Sequence, residues 1–354
     1  MLGRLRMDVD ECISQYQDLS VRIFTPRRYL RLYSGERLKE CIIQVVQKHC
    51  KCKPECAGSL ERFRQYDFAE EGDHIGNPNF TCKTLVFSNS DYCADKQYSS
   101  RYSILVSQRH SNNADETYLF RSYNHKPRKA DNLLEPNPGT LERSDVTIWE
   151  ACRATSAALF YFPKIYVEDR WHMDGAVGEN NPSPLAWNEA DQMTSVPGSN
   201  RPGAISMLVS LGTGAPRKES RFGGPLKLAR WIRRNITDTR KPHTCVSSIA
   251  QTSGSPYYRF DVGHGESHRM EHNGISTVKL SDCKPKTLDT LQECTQAYLG
   301  WKGADEDVPQ LIEDCANILL DHARRRRTED SQRWKRFISH PSPDHPQYIN
   351  PNNP

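Results

Sequence analysis

This sequence is poor in apolar residues. They fill 36% of its 354 positions even with tyrosine counted, and mean hydropathy is −0.76. Counted without Tyr and with Gly the share is about 37%, against roughly 45–50% in an ordinary globular domain. Such a chain is expected to be loop-rich or short of core strands. No stretch approaches the length of apolar run that a membrane-spanning helix needs. The opening MLGRLRMDVDEC lacks the apolar core of a secretory signal. A large charge of one sign is missing too. The 48 basic and 44 acidic residues leave a net +4, which gives no electrostatic footprint for nucleic acid. The 12 cysteines form no compact framework, so they read as reduced thiols of a cytoplasmic chain without cofactor or disulfide scaffold.

Periodicity gives an alternation of strands and helices, hence an α/β layered fold. Met1–Leu19 reads as helix, with Asp8 and Glu11 spaced as a capping box that would let two short helices meet near Asp8. Gly35–His49 reads as a second helix. Three β-like runs follow, TCKTLVFS, YSILVSQ and TYLFRSY. Ser144–Phe162, rich in Ala, Ser and Cys, suits a helix packed closely on a neighbour. A strand into Asp174, a helix over Leu185–Met193 and the strand AISMLVSLGTG come next. Residues 226–237 read as helix, YYRFDV and STVKL as strands, and Leu288–Leu299 and Val308–Arg324 as closing helices. The proline-rich 338–354 is expected to be a disordered tail.

The most informative stretch is WHMDGAVGENNP, Trp171–Pro182, in which Asp174 precedes Gly175 and Ala176. Asp-Gly alone is a common turn dipeptide. Here it stands in order with LFRSY (119–123), TIWEACRATSAALFYF (147–162), SLGTG (210–214) and CANILLDHARRRRTEDSQRWKRF (315–337). Together these resemble the patatin-like lipid acyl hydrolases, most closely the fungal branch, over nearly all of 1–337. The resemblance implies a three-layer α/β/α sandwich around a mainly parallel sheet. It also implies hydrolysis of phospholipid or neutral-lipid esters by a Ser-Asp dyad, and it gives Asp174 of the D-G-A motif the role of proton acceptor. The partner is then a lipid substrate or a membrane surface engaged peripherally.

The family's serine lies in a G-x-S-x-G elbow, and no such turn occurs in the 354 residues. MLGRLRMDVDEC resembles the helix that follows the elbow. The expectation is therefore a domain over 1–337 that lacks its N-terminal strands, oxyanion loop and nucleophile. Such a chain would be inactive as written, poorly stable, and in the alternative a non-catalytic lipid-binding or regulatory remnant. Two further departures are Leu159, where the family usually has Pro, and a segment from about Leu85 to Tyr102 that is longer than the family pattern, as a retained intron would make it.

Other candidate sites read as structural. Gly212-Thr213-Gly214 lacks the further Gly of a dinucleotide loop and the Lys of a P-loop, which leaves a turn. His49, Cys50, Cys52 and Cys56 could ligate zinc, but no second pair completes a familiar pattern, so no metal is expected. Asn180 and Asn181 are expected to satisfy backbone groups. The basic run Arg324–Arg327 suits a helix end, or alternatively attraction to anionic headgroups.

Overall fold

The computed structural model describes residues 7–25, 33–49, 85–91, 116–121, 146–158, 161–194, 205–214, 239–263, 278, 281–303, 306–329 and 331. YSILVSQ, residues 226–237, most of STVKL, Leu159 and the proline-rich tail lie outside them.

Helix α1 (Val9–Ile23) begins where Asp8 Oδ1 accepts the N–H of Asp10 at 2.8 Å. Glu11 reaches across to Lys48 and His49 at the end of α2 (Gly35–His49), at 3.6 and 3.4 Å. The two helices share a core of Met7, Leu19, Cys41, Val45 and Val46, against which Ile148 also packs. Helix α3 (Ile148–Thr155) opens with a full capping box. Thr147 Oγ1 accepts the Glu150 N–H at 3.3 Å, and Glu150 Oε2 accepts the Thr147 N–H at 2.8 Å. The expected close packing is present: Ala151 and Ala154 are buried against Tyr118, Phe120, Val146 and Val167. The helix is shorter than 144–162, because the chain leaves it after Thr155 and turns toward the sheet.

Strands β1 (Leu85–Asp91), β2 (Glu116–Arg121), β3 (Ile165–Val167) and β4 (Arg170–Asp174) form one sheet in the order β2-β1-β4-β3. Every pairing in it is antiparallel, with Leu85 opposite Arg121, Ser88 opposite Asp174 and Ile165 opposite His172. The opening of the 85–102 segment is thus an inner strand, bonded on both sides. Strands β5 (Leu208–Leu211) and β6 (Tyr257–Phe260) form a separate parallel pair. Among the described residues the strands make three antiparallel pairings and one parallel one. The connections explain why. A two-residue turn joins β3 to β4 and can link only antiparallel strands, whereas β5 reaches β6 through a long crossover containing a helix.

That helix, α6 (Arg240–Ser253), ends on Gly254 at φ +70° and was not evident from periodicity. Its buried apolar positions are Val246 and Ala250, too few to signal an apolar stripe. They pack with Trp187 of α5 (Ser183–Thr194), which follows the single-turn α4 (Ala176–Glu179). Helices α7 (Pro285–Leu299) and α8 (Val308–Glu329) close the described chain, the second running past Arg324. Leu211 of β5 is 74% exposed, unusual in a parallel pair, whose faces are normally covered.

The antiparallel sheet is tied to α5 by a buried ion pair. Arg121 on β2 donates from Nε to Glu189 Oε1 at 2.7 Å and from Nη2 to Oε2 at 3.0 Å. A two-bonded guanidinium–carboxylate contact suits burial because its geometry offsets desolvation. Arg121→Met removes both of these bonds from buried Glu189 and is expected to cost about 3–5 kcal/mol in urea unfolding. The double variant Arg121→Met/Glu189→Met should recover part of that loss.

Candidate active site

The hairpin that delivers Asp174 is unusual at its tip. Glu168 and Asp169 both take positive φ, 46° and 58°, the pattern of a type I′ turn without its usual Asn-Gly. Tyr118 donates its hydroxyl to Glu168 Oε2 at 2.7 Å, and Tyr166 donates to Asp169 Oδ1 at 3.3 Å, which fixes the tip. One turn along, His172 is fully buried between Tyr118 and Phe120, with Nε2 3.1 Å from the Val167 carbonyl. Burial pushes its pKa down to about 4, against the pull of the Val167 carbonyl.

Asp174 is the last residue of β4, on an inner strand. Its N–H donates to the Ala157 carbonyl at 3.1 Å, just beyond α3. Ala157 is itself buried, and its small side chain permits this approach. Oδ1 accepts the Ala176 N–H at 2.8 Å, closing an Asx turn over Gly175. Oδ2 takes no hydrogen-bond partner among the described residues. Desolvation raises the carboxyl pKa, and the Ala176 N–H opposes the rise only in part. A second carboxyl, Glu179, is also raised by burial, with the Thr117 side chain opposing. Sequence reasoning did not single out Glu179, because a Glu in a Gly- and Asn-rich loop carries no pattern of its own.

The loop after Asp174 is anchored by Asn181, as expected for that residue. Its Nδ2 donates to the Thr239 carbonyl at 3.1 Å and its Oδ1 accepts from Ser183 N–H at 3.2 Å and from Ser183 Oγ at 2.6 Å. Asn180 is exposed. Ser183 Oγ in turn accepts from Ser210 Oγ on β5 at 2.9 Å, and Arg259 on β6 reaches Ser210 at 2.6 Å and Asp261 at 2.7 Å. The turn reading of Gly212–Gly214 also holds. A Cβ on Gly212 would collide with the Asp261 carboxylate, and Gly214, at φ +100°, donates its N–H to Asp261 Oδ1 at 2.9 Å. Of HCKCKPEC only His49 is described, directed at Glu11, and no metal-ligand cluster occurs among the described residues.

A half-buried strand-end Asp before a tight Gly turn, backed by a small-residue helix, agrees with the family match over residues 4–187 to the patatin-like phospholipase model. The chain belongs to the patatin-like phospholipase family. Calcium-independent phospholipase A2-gamma of Homo sapiens is 30% identical over 183 residues, which take in 50% of this chain and 20% of that protein. The rabbit (Oryctolagus cuniculus) and mouse (Mus musculus) proteins of that name are each 28% identical over 182 and 181 residues. The matched stretch thus spans about a fifth of the length of these curated relatives. The patatin-like match takes in the whole Asp174 hairpin and turn, while SLGTG and the C-terminal pattern lie beyond it.

Two pH effects follow. A carboxyl whose pKa is raised on folding destabilises the fold as pH rises above the ordinary carboxylate range. Asp174→Asn keeps an acceptor for Ala176 and should raise the urea midpoint at pH 7 while leaving it little changed at pH 4. For His172 the sign is opposite. Its stabilisation is present above pH about 6.5 and lost as pH falls toward about 4, on the order of 3 kcal/mol in all. NMR titration of the His172 ring should accordingly show it neutral down to about pH 4.

Proposed function

We propose that this chain is the Asp-bearing part of a lipid acyl hydrolase, with Asp174 as the proton acceptor of a Ser-Asp dyad. One observation carries the reading: a desolvated carboxyl at a strand end, with Oδ1 held by Ala176 and Oδ2 open, in the D-G-A position of a patatin-like chain. A serine hydroxyl is a weak nucleophile and needs a base within hydrogen-bond reach. A carboxyl of raised pKa suits that task without a histidine, since its basicity lies nearer the working pH. His172 is not such a base, because its Nε2 is engaged by Val167 and its ring is enclosed by aromatic side chains.

The proposed substrates are phospholipid or neutral-lipid esters taken from a surface by a peripheral, cytoplasmic protein. No helix among the described residues is long and apolar enough to cross a membrane. We further propose the three-layer α/β/α arrangement for a domain over 1–337, followed by the tail 338–354. The antiparallel sheet carrying Asp174 and the parallel β5-β6 pair would be parts of it.

These 354 residues contain no G-x-S-x-G elbow to present a serine to Asp174. Loss of even one oxyanion donor lowers kcat by about 10²–10³, and an elbow supplies both nucleophile and donors. The purified 354-residue chain is expected to show no Asp174-dependent hydrolysis of a short-chain p-nitrophenyl ester. Joining an elbow-bearing patatin-type segment ahead of Met1 should create activity that Asp174→Asn abolishes. Equal hydrolysis by the 354-residue chain and its Asp174→Asn variant, with none gained in the fusion, would favour a non-catalytic lipid-binding role.

A further inference from the structure

Helix α8 carries exposed apolar residues that its place in the fold does not explain. Its inner face is accounted for by Val308 and Cys315, which are buried, the latter with Sγ 4.0 Å from Met207 Sδ. Ile312, Leu319 and Leu320 are nevertheless 36%, 50% and 51% exposed. With Ala316 and Ala323 they recur at three- and four-residue steps, so they form one stripe along the helix. The same steps lead from Ala323 to Arg326 and Arg327. Arg324–Arg327 are all exposed, and no acidic residue falls between His322 and Thr328. In sequence, Arg333, Lys335 and Arg336 follow closely.

The helix dipole accounts for basic residues in the last turn, which here holds Arg326 and Arg327. Arg324 also pairs with Asp321 at 3.2 Å, but neither the dipole nor that pair accounts for an exposed apolar stripe leading into Arg326 and Arg327. Leucine and isoleucine on one face, continued by cations at one end, match the boundary of an anionic lipid layer. Apolar side chains can enter its acyl margin while arginines meet headgroup phosphates. An Arg-rich helix that docked on an acidic protein by charge alone would not need the leucines exposed.

We propose that α8 is a membrane-docking helix, with Ile312, Leu319 and Leu320 entering the surface of an anionic bilayer and Arg324–Arg327 contacting its headgroups. This rests on the lipid-hydrolase reading for the kind of partner, but not on Asp174 or on any turnover.

The test is co-sedimentation of the full chain with vesicles of phosphatidylcholine containing 30 mol % phosphatidylserine, roughly the anionic charge of a cytoplasmic leaflet. Pure phosphatidylcholine vesicles serve as the comparison. Binding is expected to the anionic vesicles and to weaken by at least about tenfold between 0.05 M and 0.5 M salt, where the screening length shrinks several-fold. Neutralising Arg324–Arg327 to Gln, and separately Leu319→Ser with Leu320→Ser, should each weaken it by about tenfold or more. These side chains are exposed, so thermal melts should show both variants folded, and Ile312→Ser provides a third, milder probe. Asp174→Asn should bind like the parent, so loss of the catalytic reading leaves this result intact. Unchanged binding in both multiple variants overturns the proposal. So does solution self-association that the Leu319→Ser/Leu320→Ser variant abolishes while its vesicle binding stays intact, because the stripe would then be a contact between copies.

Discussion

The hydrogen bond between Ser183 and Ser210 is the tie on which the site's surroundings depend. It joins the loop after Asp174 to the parallel strand pair, and it is one link in a longer route. From the Thr239 carbonyl the contacts run through Asn181, Ser183, Ser210, Arg259 and Asp261 to Tyr298 and Glu306. Most of these groups are buried. A chain this poor in apolar residues has to bury polar ones, and each is tolerable only while its partners are in place. Removing one hydroxyl would strand the next donor, so the links are worth more together than singly.

Asp174 is held from the opposite side by the Ala157 carbonyl, and this is why a small-residue helix precedes it. Larger residues at 151, 154 and 157 would push α3 away from Tyr118, Phe120 and Val167, and the backbone bond to Asp174 would open. The carboxyl therefore sits in a frame fixed on both sides, one apolar and tightly packed, the other polar and relayed. Burial makes its charged form costly, and the single Ala176 N–H offsets only part of that cost. The fold thus gives up stability at neutral pH to hold a carboxyl with raised proton affinity, a common trade at functional positions.

Much of this was legible in the sequence, and what was not has physical causes. Gly35–His49 reads directly as a helix because Leu38, Ile42, Val45, Val46 and His49 mark one face, and Leu38, Val45 and Val46 are indeed buried, with Cys41 beside them. The strand into Asp174 and the Gly212–Gly214 turn were also legible, since each is set by neighbours close in sequence. Helix α6 was not, because its contact with Trp187 needs only Val246 and Ala250. Nor was the antiparallel order of the sheet. Its β3–β4 pairing turns on Glu168-Asp169 adopting a tight turn at positive φ without a glycine, held by a hydroxyl 50 positions earlier. Arg121–Glu189 was hidden for the same reason: 68 positions separate two charges that sequence alone would place on the surface. Desolvation of Asp174 is likewise a tertiary property, whereas its identity as the motif's Asp was local.

The two oxygens of Asp174 divide the remaining question. Oδ1 is committed to Ala176, which fixes the plane of the carboxylate, while Oδ2 is left as the oxygen able to receive a proton. In the proposed role that would be a base set in orientation before any hydroxyl arrives, the condition under which proximity lowers a barrier. Orientation of a base is only one of three parts of acyl transfer, the others being a nucleophile and donors for the oxyanion. Family membership rests on the patatin-like match over residues 4–187, which takes in the hairpin, the Gly turn and the helix behind them. The proposed activity would rest in addition on an elbow serine able to meet Oδ2 within hydrogen-bond distance. On the proposed dyad, the geometry of Asp174 would place such a serine with its Oγ on the open side of the carboxylate, away from Ala176.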